Sequence, residues 1–222
     1  MERIIEPEWL DDLPSHEPLA IGSRRDLRVL NGFMGNASIV ADALRPFPIP
    51  KRVLDLGSGD GSFALRLARD LRWRGVEFIL LDRHGVSEAR LHRKFGEAHC
   101  SMAMLRRDVL AGFDEVGAVD IACANLFLHH FAESELRRLL AEVAAKCEVF
   151  IACEPRRSPF ALYASHLVGA LGCNAVTRHD AVISVRAGFR GRELSQLWAA
   201  ENWSCHERAA GVFSHLFVAH RL

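Results

Sequence analysis

Residues 53–71, "VLDLGSGDGSFALRLARDL", run from an apolar stretch through Gly57, Gly59 and Gly61 into a helical pattern. The preceding segment, "RVLDL" from Arg52 to Leu56, has the length and apolar content of a buried strand. Beyond the glycines, Phe63, Leu67 and Leu71 fall on one helical face with Ala64 and Ala68. Strand, glycine turn and helix in that order open a doubly wound α/β sheet, in which ligands sit at the carboxyl ends of the strands. Glycine permits positive φ and close backbone approach, and the start of the helix offers unpaired amides. The spacing is not that of a phosphate cradle. A dinucleotide fingerprint needs its third glycine one residue later, and no Lys-Ser or Lys-Thr follows as in a nucleoside triphosphate loop. A turn without a ligand is also compatible with the local residues.

Outward from this unit the alternation continues. "VEFILLD" reads as the second strand, "VSEARLHRKFGE" as a helix, and "SMAMLRRD" and "AVDIACAN" as two further strands. Leu136, Leu139, Leu140 and Val143 mark an amphipathic helix before the strand "EVFIACE". After Glu154 the rhythm breaks into helical pieces punctuated by Gly169, Gly172 and Gly188. "GRELSQLWAAEN" restores a helix, and "WSCHERAAGVFSHLFVAHRL" reads as two closing strands whose short link makes them antiparallel. The expected architecture is α/β: a doubly wound, seven-stranded, mostly parallel sheet with an antiparallel C-terminal strand. At the N-terminal side, "SRRDLRVLNGFMGNASIVADALR" has a helical pattern that stops at "PFPIP", where three prolines withhold backbone donors. The expected division is a helical appendage or lid over residues 1–50 and a main domain over 51–222, with a cap inserted at about 155–190.

Composition narrows the function classes. Lys plus Arg number 28 and Asp plus Glu 28, so no charge excess favours a nucleic acid as partner. Half the 222 residues are hydrophobic and a quarter are charged, which suits a globular chain with a sizeable core. The six cysteines form no CxxC pair and no metal-finger spacing, so free thiols are expected and no metal site is read. The opening residues lack an apolar stretch of signal-peptide length, and "PFALYASHLVGALG" is too short to span a bilayer. A cytoplasmic protein without a membrane span is expected, and a homodimer is left open.

The acidic residue before the glycines in "DLGSGDG" resembles the first motif of the class I, Rossmann-like S-adenosylmethionine-dependent methyltransferases, and the resemblance extends over about residues 50–155. It implies S-adenosylmethionine as cofactor. Asp55 would hold its methionine end, where a carboxylate suits a sulfonium and an ammonium, with the backbone of Gly57, Ser58, Gly59 and Gly61 passing close by. Asp82, with Arg83 beside it, ends the second strand where the family places ribose contacts; Asp108 and Val109 take the adenine position. Each aspartate alone also suits a loop or helix cap. Asn125 and Leu126 end the fourth strand, where the family presents the methyl group. Nucleic-acid amino-methyltransferases resembling this class often carry two prolines and an aromatic residue after that Asn or Asp; here Leu126 and Phe127 follow instead.

With the neutral charge balance, that departure favours a small-molecule acceptor, and the chain resembles methyltransferases of quinones, phenols and polyketides. Transfer to oxygen, less readily to carbon, is expected. The phenolic proton of an acceptor suits a histidine base, since an unperturbed phenol ionises near pH ~10 and an unperturbed imidazolium near ~6.5. As a base His130 is favoured over its neighbour His129, and Glu154 at the end of the fifth strand is a further candidate, while histidines that only cap a helix or line the pocket are the weightier reading. His179 beside Asp180 has the look of a base and its orienter, yet adjacent residues diverge, so a solvated loop is expected there. Two other readings stay open: a nicotinamide-dependent oxidoreductase, and a non-catalytic cofactor-binding sensor or partner protein.

Overall fold

A computed structural model describes residues 1–14, 16–83 and 88–222. Three helices come first: α1 (Trp9–Asp12), α2 (Pro18–Met34) and α3 (Asn36–Leu44). The alternating body follows as β1 (Arg52–Leu56), α4 (Ser62–Asp70), β2 (Glu77–Asp82), α5 (Glu88–Glu97), β3 (Ser101–Arg106), α6 (Val109–Gly112), β4 (Ile121–Asn125), α7 (Glu133–Lys146) and β5 (Val149–Pro155). Then come α8 (Pro159–His166), α9 (Ala175–Ala187), α10 (Glu193–Leu197) and the hairpin of β6 (Trp203–Ala210) and β7 (Ser214–Arg221). The sheet order is β3-β2-β1-β4-β5-β7-β6. Only β7 runs against the others, antiparallel to both β5 and β6, so the expected doubly wound sheet is present with one reversed strand.

The order turns back between β1 and β4, which opens a crevice at their carboxyl ends. Side chains of β1 alternate between the two faces of the sheet. Leu54 and Leu56 enter the core formed with α7 and α10, while Val53 enters the core formed with α3, α4 and α5. Both faces are thus covered, which is why β1, β4 and β5 read as continuous apolar runs. Val40 and Leu44 of α3 belong to the second core, so α3 packs on the body of the sheet although it precedes the proline segment.

Three local readings change. The helical pattern before the prolines is two helices, because Gly35 adopts φ +68° and its amide closes α2 on the Asn31 carbonyl. The helix expected over 191–202 is confined to Glu193–Leu197, because the chain turns extended at Trp198 to stack its indole on Phe150, 5.5 Å between ring centroids. His179 and Asp180 lie within α9, and Asp180 is buried, in place of the expected solvated loop. The first two residues of the helix read over 86–97 fall outside the described residues. All six cysteines are free thiols, four of them buried. Among the described residues no helix is long and apolar enough to cross a membrane.

Candidate functional site

The glycine turn is built as its residue types require. Gly57, Gly59 and Gly61 all have positive φ. Gly57 is held by its amide on the Leu81 carbonyl at 2.9 Å, and a Cβ there would stand 2.1 Å from the Phe127 ring. No larger residue fits that approach. The amide of Gly59 donates to Asp82 Oδ2 at 2.8 Å, so Asp82 ties the turn to the end of β2. Arg83, next along, lies 3.7 Å from Asp11. Asp108 caps α6 by accepting from the Leu110 amide at 2.9 Å, and Val109 is buried behind it.

Asp55 is buried inside the sheet's carboxyl edge, and the Cys123 thiol lies 3.7 Å from its Oδ1. Its Oδ2 and the Ser58 hydroxyl are buried atoms without a hydrogen-bond partner among the described residues. Burial pushes the Asp55 carboxyl up to about 8; the thiol opposes the shift and the charge of Asp82 adds to it. A lone buried carboxylate is costly until a cation or a donor meets it. The residues here therefore suit a cationic group, and the open side of Gly59, with nothing within 4 Å of an added Cβ, leaves room for one to pass.

Across the crevice, the loop after β4 winds around one carboxylate. Glu154, fully buried in β5, accepts from the backbone amides of Phe127, Leu128 and His129 at 3.0, 2.9 and 3.3 Å. It also meets His129 Nδ1 at 2.8 Å. Its two oxygens thus fix both the loop backbone and the His129 ring. Leu126, at φ +53°, sits in a backbone region that is strained for a branched side chain, and its amide donates to the Cys153 carbonyl. Asn125 Oδ1 accepts from Asn36 Nδ2 at 2.9 Å, and Asn36 Oδ1 accepts from the Ser214 hydroxyl at 2.6 Å.

The histidine that Glu154 fixes is His129, not the neighbour favoured on sequence grounds. Nδ1 must carry a proton to donate to Glu154, so Nε2 is the ring nitrogen that gains or loses the second proton. Glu8 Oε1 lies 3.4 Å from that Nε2. Burial would lower the pKa of His129, but its hydrogen bonds with Glu154 and Glu8 outweigh it and raise the pKa to about 9. Burial also opposes ionisation of Glu8, yet the hydrogen bond with His129 and the charges of both histidines, with the Ser184 hydroxyl, hold its carboxyl at about 2. His130, whose ring centroid is 4.2 Å from that of His129, is lowered by burial and by its neighbour's charge.

Glu8 belongs to an N-terminal segment laid across the carboxyl edge. Arg3 donates to the carbonyls of Ala187, His129 and Phe131 at 2.7, 3.1 and 3.0 Å. Asp180 accepts from the amides of Trp9 and Leu10 at 2.9 and 3.1 Å, and the Trp9 ring stacks on His179 at 3.8 Å. The pair His179 and Asp180 is thereby an anchor for this segment.

This crevice has known counterparts. Residues 53–148 match the family described as a methyltransferase domain. The match spans under half of the chain and supports an S-adenosylmethionine-dependent methyltransferase domain there. Among solved structures this chain is similar to the plantazolicin methyltransferase BpumL, with TM-score 0.66, 12% identity, and 96% of this chain and 93% of that one covered. It is also similar to the mitomycin 7-O-methyltransferase MmcR, with TM-score 0.64, 16% identity, and 96% and 60% covered. An O-methyltransferase family protein from Burkholderia thailandensis gives TM-score 0.61, 14% identity, and 94% and 64% covered. At these identities the likeness is one of fold, and this chain spans under two thirds of the last two chains. No curated protein matches its sequence.

The family's cofactor is S-adenosylmethionine, and the lone buried Asp55 carboxyl fits its cationic methionine end. The nicotinamide reading falls with the domain match. Of the candidates that the sequence marks, Asp55, Gly57, Ser58, Gly59, Gly61 and Asp82 gather at one lip of the crevice, and Asn125, Leu126, His129, His130 and Glu154 at the other. Asn36 and Glu8 are not among those candidates. Asn36 carries a weak signal, the Gly-Asn pair that starts a helix after a left-handed glycine. Glu8 carries none, because its partner lies in a distant part of the chain.

Proposed function

We propose that this methyltransferase transfers a methyl group to a hydroxyl oxygen of a hydrophobic aromatic or polyketide-like small molecule, as in natural-product biosynthesis. The observation that carries the reading is His129, fixed by a buried carboxylate at Nδ1 with Nε2 facing Glu8 of the N-terminal segment. S-adenosylmethionine, when bound, supplies an electrophilic methyl group on its own leaving group. Asp55 pairs with the cationic methionine end, and Gly57, Ser58, Gly59 and Gly61 line its passage. Asp82 and Arg83 stand at the ribose position, Asp108 and Val109 at the adenine, and Asn125 and Leu126 at the methyl group.

Once Glu8 withdraws, the charge that holds the Nε2 proton is gone and that proton leaves to solvent. The neutral ring then takes the acceptor's hydroxyl proton at Nε2, and Glu154 stabilises the imidazolium that results. Glu8 must leave Nε2 for this to happen, so the N-terminal segment acts as a lid that opens to admit the acceptor. A shallow surface cleft beyond the carboxyl end of β5, lined by Arg156, Ser158, Pro159, Phe160, Gly211 and Val212, is largely apolar and shares no residue with the crevice around His129. Phe33 and Phe160 flank Phe213 beside it at 6.4 and 6.1 Å between ring centroids.

The test is transfer of radiolabelled methyl from S-adenosylmethionine to a panel of phenols, hydroquinones and aromatic polyketides, with amines and nucleic acids alongside. Labelling of phenolic oxygen, lost in His129→Gln while S-adenosylhomocysteine still binds, supports the reading. Labelling of amines or nucleic acids alone overturns it, and binding of the cofactor product without any transfer favours the sensor reading.

A further inference from the structure

We propose that Glu8, His129 and His130 form a binding site for one divalent transition-metal ion of the zinc class. The carboxylate oxygen and the two ring nitrogens all lie within 4.8 Å of one another. Two imidazoles and one carboxylate are a donor set that zinc accepts, with a fourth position left for water or ligand. At metal–ligand bonds of about 2.0–2.1 Å, adjacent donors in a tetrahedron stand roughly 3.3 Å apart. His129 Nε2 and Glu8 Oε1 are 3.4 Å apart, already at that edge length.

Features outside the donor set point the same way. A histidine that binds a metal through one nitrogen almost always gives the other to a carboxylate or carbonyl, which fixes its tautomer and ring plane. Glu154 does this for His129, from a fully buried position and at 2.8 Å. The Ser184 hydroxyl donates to Glu8 Oε1 at 2.5 Å and holds the third donor in place. His129 is itself buried, while Glu8 and His130 are half-buried, so an ion has an approach from the crevice without full exposure. His130 ends the single 3-10 turn that also carries His129, so one short element supplies both imidazoles.

The site goes beyond the proposed transfer reaction and does not depend on it. Binding displaces the proton that His129 Nε2 shares with Glu8, so one proton leaves as one ion enters. Because Glu8 comes from the N-terminal segment and the histidines from the loop after β4, the ion would also clamp that segment to the body. The same Nε2 lone pair cannot bind a metal and accept a proton, so the loaded site is closed to base catalysis.

The experiment uses the full chain, stripped with a chelator and titrated with zinc chloride by calorimetry and with cobalt chloride by visible absorption. The expected result is one ion per chain, with the intense visible bands of four-coordinate cobalt. Glu8→Gln and His130→Gln should each weaken binding at least ~10-fold. His206→Gln, on the β6–β7 hairpin, should leave it unchanged, and circular dichroism melting confirms that each variant is folded. Absence of stoichiometric binding overturns the proposal, as does binding that Glu8→Gln and His130→Gln leave intact. Neither readout involves methyl transfer, so failure here and failure of the proposed function are separately visible.

Discussion

At His129 the two ring nitrogens face two carboxylates, and the difference between those carboxylates sets the residue's use. Glu154 is locked by three backbone amides and cannot move away, whereas Glu8 rides on a segment held from outside the core. Replacing His129 by Gln keeps a polar side chain of similar reach but removes the basic nitrogen. Turnover on a phenolic acceptor should fall by about 10²–10⁴, the usual span for a lost general base, with S-adenosylhomocysteine affinity within about twofold in calorimetry. Asp55 makes a second prediction. Its carboxyl, raised to about 8 by burial, is protonated at neutral pH in the free protein. A cationic ligand needs the carboxylate, so binding releases a proton. Affinity for S-adenosylhomocysteine should rise as pH rises toward about 8 and level off above it. Calorimetry in buffers of different ionisation enthalpy counts the proton. Asp55→Asn should bind more weakly and show neither the pH dependence nor the release.

Among the elements, the turn between β1 and α4 and the segment containing α1 carry the site in opposite ways. The turn is rigid because its backbone is overdetermined: Gly57 sits at φ +64° with the Phe127 ring where a Cβ would go. Gly57→Ala should cost about 1–2 kcal/mol for the left-handed backbone and about 1–3 for the overpacking. A melting temperature lowered by several degrees, with cofactor binding lost, is the expected outcome. The N-terminal segment is held instead by separable contacts. Asp180→Ala removes the acceptor of the Trp9 and Leu10 amides and the partner of His179. Limited proteolysis should then cut within residues 1–17 faster than in the parent chain while the fragment beginning near α2 persists. The turn is legible in the sequence because glycine marks a backbone requirement. The segment is not, because "EPEWLDD" reads as a solvated acidic run, and its contacts are made with α9 and the loop after β4.

For the molecule as a whole, strands buried on both faces announce themselves as apolar runs, so the sheet is legible strand by strand. What depends on contacts between distant segments is not: the choice of His129 over His130 rests on which ring meets Glu154, and the early end of α10 rests on Trp198 reaching Phe150. The same dependence on distant contacts shapes the response to pH, where two buried carboxyls act with opposite sign. Asp55 has a raised folded pKa, so its contribution to stability is full below its ordinary value of 3.8 and is lost as pH rises through about 8. Glu207 is the reverse. Burial opposes its ionisation, but His215 at 2.7 Å and the amides of Leu194 and Ser195 with the Ser195 hydroxyl prevail and hold its carboxyl below the ordinary 4.5. Its contribution is present above 4.5 and is lost as pH falls through the lowered folded value. Glu207→Gln should therefore destabilise the protein at neutral pH, by about 2 kcal/mol for hydrogen bonds to a charged group. The same change should flatten the acid limb of the melting curve. Asp55→Asn should flatten the opposite limb, between about 4 and 8. Melting of the three proteins by circular dichroism from well below 4.5 to above 8 reads both signs at once. A parent chain whose melting temperature did not fall from neutral toward mildly alkaline pH would show that Asp55 ionises freely, and would remove the lone buried carboxyl from the account of the cofactor site.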